Sequence, residues 1–146
     1  MLGGSQAAKI FAEMLPDIFI KCKKNKINFK IYQHCLNEQK LDLQKKYDSY
    51  DINYELFNFT FDILKYYNLS NLVITRAGSS ALAELLNCNI PIISIPLPSS
   101  SENHQLKNAQ YFMSKGFGIM VEEKNVKNKL FNLLQTMHKD KSMLNL

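Results

Sequence analysis

The stretch from Asn71 to Gln110, NLVITRAGSSALAELLNCNIPIISIPLPSSSENHQLKNAQ, limits what this chain can fold into more than any other. Leu72-Val73-Ile74-Thr75 is a short β-branched apolar run, as expected of a strand buried on both faces. It stops at Arg76-Ala77-Gly78, and Ser79-Ser80 open a helical pattern, Ala81-Leu82-Ala83-Glu84-Leu85-Leu86. Gly78 permits a sharp turn, and the serines are expected to cap the free N–H groups of the first helical turn. A second strand, Ile90 to Pro96, follows after three residues. Strand, glycine turn, helix and strand make a βαβ unit whose loop lies at the carboxyl end of a parallel sheet. Ligands collect at that edge, and helix N-termini there suit phosphate.

With 146 residues the chain fits one domain, residues 1–146, able to bury about two-thirds of its unfolded surface. A hydrophobic share of 46% excludes intrinsic disorder, and no run nears the roughly 20 apolar residues that cross a bilayer. Met1-Leu2-Gly3-Gly4-Ser5 lacks the charged-then-apolar pattern of a secretory signal. Cys22, Cys35 and Cys88 share no metal or redox spacing and read as reduced thiols of a cytoplasmic protein. The net charge of +5 sits largely in Lys21–Lys30 and Lys124–Lys129, amid asparagines. Without aromatic interleaving these lysines read as a solvated surface, not a nucleic-acid interface.

Strands and helices alternate along the chain. Ala7, Ile10, Phe11, Met14, Leu15 and Ile18 recur at helical steps, with a kink or break expected at Pro16. The pattern then predicts a strand over Asn28–His34, a surface helix over Asn37–Tyr50, a strand over Asn53–Phe59 and a short helix over Asp62–Tyr67. Beyond the central unit it predicts a helix from Asn103 to about Lys115, a break at Gly116-Phe117-Gly118, a strand at Ile119–Val121 and an amphipathic helix over Asn125–His138. The tail from Lys139 is expected to fray. This alternation argues an α/β fold with an open, mostly parallel sheet. A domain of that class begins with a central strand, so the expected first strand is truncated at Met1-Leu2.

Two glycine-serine turns, Gly3-Gly4-Ser5-Gln6 and Gly78-Ser79-Ser80, would each place backbone donors at a helix start on one edge of the sheet. Two such ends could share a diphosphate between them. Neither fits a dinucleotide fingerprint or a P-loop. Glu84, in the second turn of its helix, could accept hydrogen bonds from vicinal hydroxyls at roughly 1.5–3 kcal/mol each, or simply be a surface carboxylate. Gln105 and Asn108 are three apart and share one helix face, and paired amides suit sugar hydroxyls. The three histidines have no metal-ligand spacing.

These pieces occur together in one family. GGSQ at 3–6, FT at 59–60, TRAGSSALAEL at 75–85, IPIISIPLP at 90–98 and NHQLKNA at 103–109 stand in its order. On them the chain resembles the carboxyl-terminal, donor-binding domain of the inverting GT-B glycosyltransferases of family 28, whose peptidoglycan members make lipid II. The resemblance covers nearly the whole chain and implies a Rossmann-like sheet with helices on both faces, one half of a GT-B enzyme. It implies a site for UDP-N-acetylglucosamine. Gly4, Ser5, Gln6, Gly78, Ser79 and Ser80 would hold the diphosphate, and Phe59 with the Thr60 backbone would border the uracil. Glu84 would bind the ribose, and His104, Gln105 and Asn108 the acetylglucosamine hydroxyls. Arg76 belongs to the motif and could brace the loop. The chain departs from the family pattern at Ala7, at Ala81 where a threonine is usual, at Gln33-His34-Cys35-Leu36, and at His104-Gln105.

The resemblance further implies no cofactor and no protein-bound metal. The lipid I acceptor and the general base would belong to an amino-terminal domain lying on the cytoplasmic face of the inner membrane. Alone, the chain is then expected to bind the nucleotide sugar weakly and transfer nothing. The alternatives are a split-transferase subunit working with a separate membrane-bound acceptor-binding partner, and a nucleotide-sensing remnant.

Overall fold

The computed structural model describes residues 5–100 and 103–144, with side chains described from Ala8 onward. The order is α1 (Ser5–Met14), α2 (Pro16–Lys24), β1 (Lys30–His34), α3 (Asn37–Asp48), β2 (Asn53–Phe57) and α4 (Ile63–Asn68). There follow β3 (Val73–Thr75), α5 (Ser79–Asn87), β4 (Ile92–Ser94), α6 (His104–Ser114), β5 (Gly118–Met120) and α7 (Val126–Lys139). Short 3-10 turns cover Glu123–Asn125 and Lys141–Leu144. The expected break at Pro16 separates α1 from α2, because proline has no N–H for the ladder yet fits the first turn of a new helix.

Among the described residues every strand pairing is parallel. β1 pairs with β2 from Lys30↔Asn53 to His34↔Phe57, and β4 pairs with β3 and β5 through Ile92↔Val73 and Ile92↔Gly118. Among the described residues the strands form two sheets, β1-β2 and β3-β4-β5, where one continuous sheet was expected. The expected central strand at Met1-Leu2 lies outside the described residues. Both sheets share a core, since Ile31 of β1 sits in one apolar cluster with Ile74 of β3 and Ile93 of β4.

Alternation along the strands places helices on both faces. Ile74 and Ile93 pack with Phe11, Ile18, Phe19, Val126 and Leu130 from α1, α2 and α7. Their neighbours Val73 and Ile92 pack on the other side with Tyr67, Leu82, Leu85 and Ala109 from α4, α5 and α6. Each fully buried leucine or isoleucine contributes about 1.5–3 kcal/mol.

Two local expectations need correction. The serines do not cap α5: the N-cap is Gly78, no side chain caps it, and Ser79 and Ser80 are the first helical residues. Nor does the tail fray directly after Lys139. Met143 and Leu144 fold back on a 3-10 turn and pack against the larger core cluster, an apolar pairing that outweighs the entropy of a free end.

Candidate functional site

The loops after β3 and β4 leave the carboxyl edge of one parallel sheet, and the start of α6 lies beside them. Gln105 Oε1 accepts hydrogen bonds from Ala77 N–H at 3.2 Å and Leu97 N–H at 3.0 Å. Asn108 Nδ2 donates to the Ala77 carbonyl at 3.1 Å. The two amides expected on one helix face therefore share that face, but they turn one end each toward protein. Among the described residues neither Gln105 Nε2 nor Asn108 Oδ1 has a hydrogen-bond partner. Ser100 Oγ accepts from Gln105 N–H at 3.3 Å and seats the helix start. His104, the first residue of α6, is exposed.

Next along the chain, Gly78 has φ −66° and ψ 133°, an extended conformation open to any residue. A Cβ added there would meet nothing within 4 Å. Neither backbone strain nor packing requires glycine at this point, whereas close approach of a ligand would. Ser79 and Ser80 are exposed at the start of α5, whose first turn carries no acidic side chain. No side chain of that first turn therefore offsets the partial positive charge of the helix end.

Arg76 is buried and works inward. Its Nη1 donates to the carbonyls of Ile95 at 3.1 Å and Pro96 at 3.3 Å. Its Nη2 stands 2.6 Å from Glu123 Oε2, and the guanidinium lies 5.1 Å from the Phe11 ring. The Glu123 contact is off the hydrogen-bond direction, so it is a charge pair, and Nε has no partner among the described residues. These contacts tie the end of β3 to the loop after β4 and to the turn before α7.

Glu84 is exposed on α5, and Tyr67 of α4 donates to its Oε2 at a long 3.5 Å. Burial, with the Glu84 charge second, pushes the Tyr67 phenol up to about 12, so it stays a donor throughout the neutral range. Phe59 and Phe61 meet edge to face at 4.8 Å and are 72% and 98% exposed, which leaves the Phe59 ring face available for stacking. Thr60 Oγ1 accepts from Asp62 N–H, and Asp62 caps α4 through Lys65 N–H. Contact along α4 through Tyr67 and Glu84 links this loop to α5.

The structure brings Arg76, Gly78, Gln105 and Asn108 together around one loop, and places Glu84 on the helix that leaves it. Phe59 and Thr60 stand on the β2–α4 loop, which leads into α4 and its Tyr67–Glu84 contact with α5. Gly4 and the side chains of Ser5 and Gln6 lie outside the described residues. Ala77, Leu97, Tyr67 and Glu123 escaped the reading of the sequence. Glu123 had one usable signal, its place just past the last strand on the same edge; the others act through backbone or across 17 residues. A shallow surface depression lined by Leu86, Asn89, Ile90 and Phe117 lies at the α5–β4 turn, the opposite edge, and holds none of the candidates. Among the described residues no three His, Cys, Asp or Glu converge as metal ligands, and no helix is long and apolar enough to cross a membrane.

Most of the chain is similar to proteins already known. The chain is 38% identical over 139 residues to the UDP-N-acetylglucosamine--N-acetylmuramyl-(pentapeptide) pyrophosphoryl-undecaprenol N-acetylglucosamine transferase of Pelagibacter ubique, covering 92% of this chain and 39% of that protein. It is 36% identical over 129 residues to the protein of the same name from Rickettsia typhi, covering 86% and 33%. The crystal structure of MurG from Acinetobacter baumannii superposes with a TM-score of 0.83 at 25% identity, over 99% of this chain and 41% of that one. The chain thus spans about two fifths or less of the relatives it matches. Residues 1–145 match the glycosyltransferase family 28 C-terminal domain, and the chain belongs to that family.

Proposed function

We propose that this chain is the donor-binding half of an inverting N-acetylglucosaminyltransferase that moves the sugar of UDP-N-acetylglucosamine to lipid I, forming lipid II. The observation that carries the reading is the uncapped start of α5, reached through a glycine that the fold itself does not need. Backbone N–H groups at Gly78, Ser79 and Ser80, with the two hydroxyls, bind the diphosphate. Gly4, Ser5 and Gln6 supply the second set of donors. Phe59 stacks on the uracil beside the Thr60 backbone, and Glu84 accepts from the ribose. His104, Gln105 through Nε2 and Asn108 through Oδ1 meet the sugar hydroxyls. Arg76 holds the loop from behind.

In the reaction a muramoyl hydroxyl displaces UDP at the anomeric carbon with inversion, and negative charge grows on the leaving diphosphate. Donors already fixed at a helix start stabilise that charge without reorganising. The general base and the lipid acceptor site belong to an amino-terminal domain at the cytoplasmic membrane surface. The names of the longer relatives, which state this donor and acceptor class, support the assignment.

Calorimetric titration of the 146-residue chain with UDP-N-acetylglucosamine, UDP-glucose and ADP-glucose tests the reading. The uridine nucleotides should bind and the adenosine one should not. Glu84→Ala should weaken UDP about tenfold, the loss of one charge-assisted hydrogen bond, with an unchanged unfolding midpoint. Equal affinity for UDP- and ADP-sugars would sink the assignment, and unchanged UDP affinity would remove Glu84 from the site.

A further inference from the structure

Ala77 is fully buried, so neither of its backbone polar groups can turn to water. Both are instead held by side chains of α6, the N–H by Gln105 and the carbonyl by Asn108. Gln105 Oε1 holds the Leu97 N–H as well, so one oxygen ties together the loops that leave β3 and β4. The next peptide is Gly78, whose carbonyl accepts the first bond of α5 from Leu82 N–H at 3.0 Å. Fixing Ala77 on both sides therefore fixes the direction in which the start of α5 points its free N–H groups.

We propose that Gln105 and Asn108 are positioning residues for the diphosphate end of the nucleotide, acting through Ala77, in addition to any contact with the sugar. The inference rests on the donor-site reading above. Its content is that α6, on the sugar side, and the start of α5, on the phosphate side, are one rigid unit. An amide that merely touched the sugar would matter only to ligands that carry a sugar. A brace of the loop matters to every ligand with a diphosphate, and not to the nucleoside alone.

A ligand-truncation series on the 146-residue chain separates the two. Uridine, UMP and UDP are titrated into the wild type, Gln105→Met and Asn108→Leu, which are close in shape and lack the amides. UDP should bind about tenfold more weakly to each variant, and uridine within about twofold of wild type. Amide hydrogen exchange without ligand supplies the second readout. Ala77 and Leu97 N–H should exchange at least about tenfold faster in Gln105→Met, while the sheet amide of Ile93 keeps its protection. Gln105→Glu, which retains an acceptor oxygen, should restore protection at both positions. Unchanged exchange at Ala77 and Leu97, or intact UDP affinity in both variants, overturns the inference alone. Equal losses for uridine and UDP, reporting general unfolding, overturn it too. A wild type that binds no UDP removes the donor reading and the inference with it.

Discussion

Cys22, 2% exposed on α2, shows how burial sets acid–base behaviour in this chain. Desolvation pushes its thiol from 9.0 up to about 11, against a smaller downward pull from Lys21. The folded state therefore keeps a proton that the unfolded chain gives up near its ordinary value. The resulting stability is present in full below pH 9 and is lost as pH rises through 11, a contribution of about 2–3 kcal/mol. Burial raises Cys35, Tyr47 and Tyr67 in the same direction, which steepens the decline. Urea unfolding measured from pH 8 to 11 should show this fall, with a shallower slope in Cys22→Ala; equal slopes would contradict it. The three reduced thiols expected from their spacing are free cysteines here, yet nothing local in the sequence foretold this burial. The same holds for the site. Arg76, Gly78 and Glu84 could be picked out from one contiguous motif, but Gln105 and Asn108 reach Ala77 across 28 and 31 residues. The sequence pattern placed both amides on one face and could not say that this face looks toward a backbone peptide.

At the scale of elements, helices were legible because their apolar spacing is set by the core they cover. Val126, Leu130, Phe131 and Met137 of α7 are all buried as the pattern requires. Ends were less legible, because they depend on what packs nearby. Met143 and Leu144 extend the fold past a tail expected to fray, and Gly118 belongs to β5 although it reads as a breaker. Its glycine has a particular cause. At φ 153° its backbone passes so close to β4 that a Cβ would stand 2.3 Å from the Ile92 carbonyl oxygen. Backbone atoms on both sides cannot yield without parting the strands. Gly118→Ala should cost about 3 kcal/mol and loosen β5 first, visible as a lower melting temperature and faster amide exchange at Met120 and Val121. A melting temperature equal to wild type would show that β4 and β5 can separate freely.

Across the whole molecule, one side chain joins parts that no single element connects. Arg76 leaves the end of β3, lies over Phe11 of α1, donates to the carbonyls after β4 and pairs with Glu123 between β5 and α7. Its side chain is 7% exposed and that of Glu123 is 25% exposed, so the charge pair sits mostly away from water. Such a pair adds little over an apolar replacement, yet removing one partner strands the other charge at a cost of about 3–5 kcal/mol. Glu123→Gln keeps the shape and removes the counter-charge, so it should lose about 3 kcal/mol in urea unfolding. Replacing both residues, Arg76→Met with Glu123→Met, should be less damaging than Glu123→Gln alone, because no buried charge is left unpaired. If the double variant is the worse of the two, the carbonyl contacts of Arg76 to Ile95 and Pro96 dominate and the ion pair is incidental. Either ranking bears on the loop as well. The same guanidinium holds the β3 and β4 exits together behind Gly78, so a pair that governs stability also governs how firmly the start of α5 is aimed.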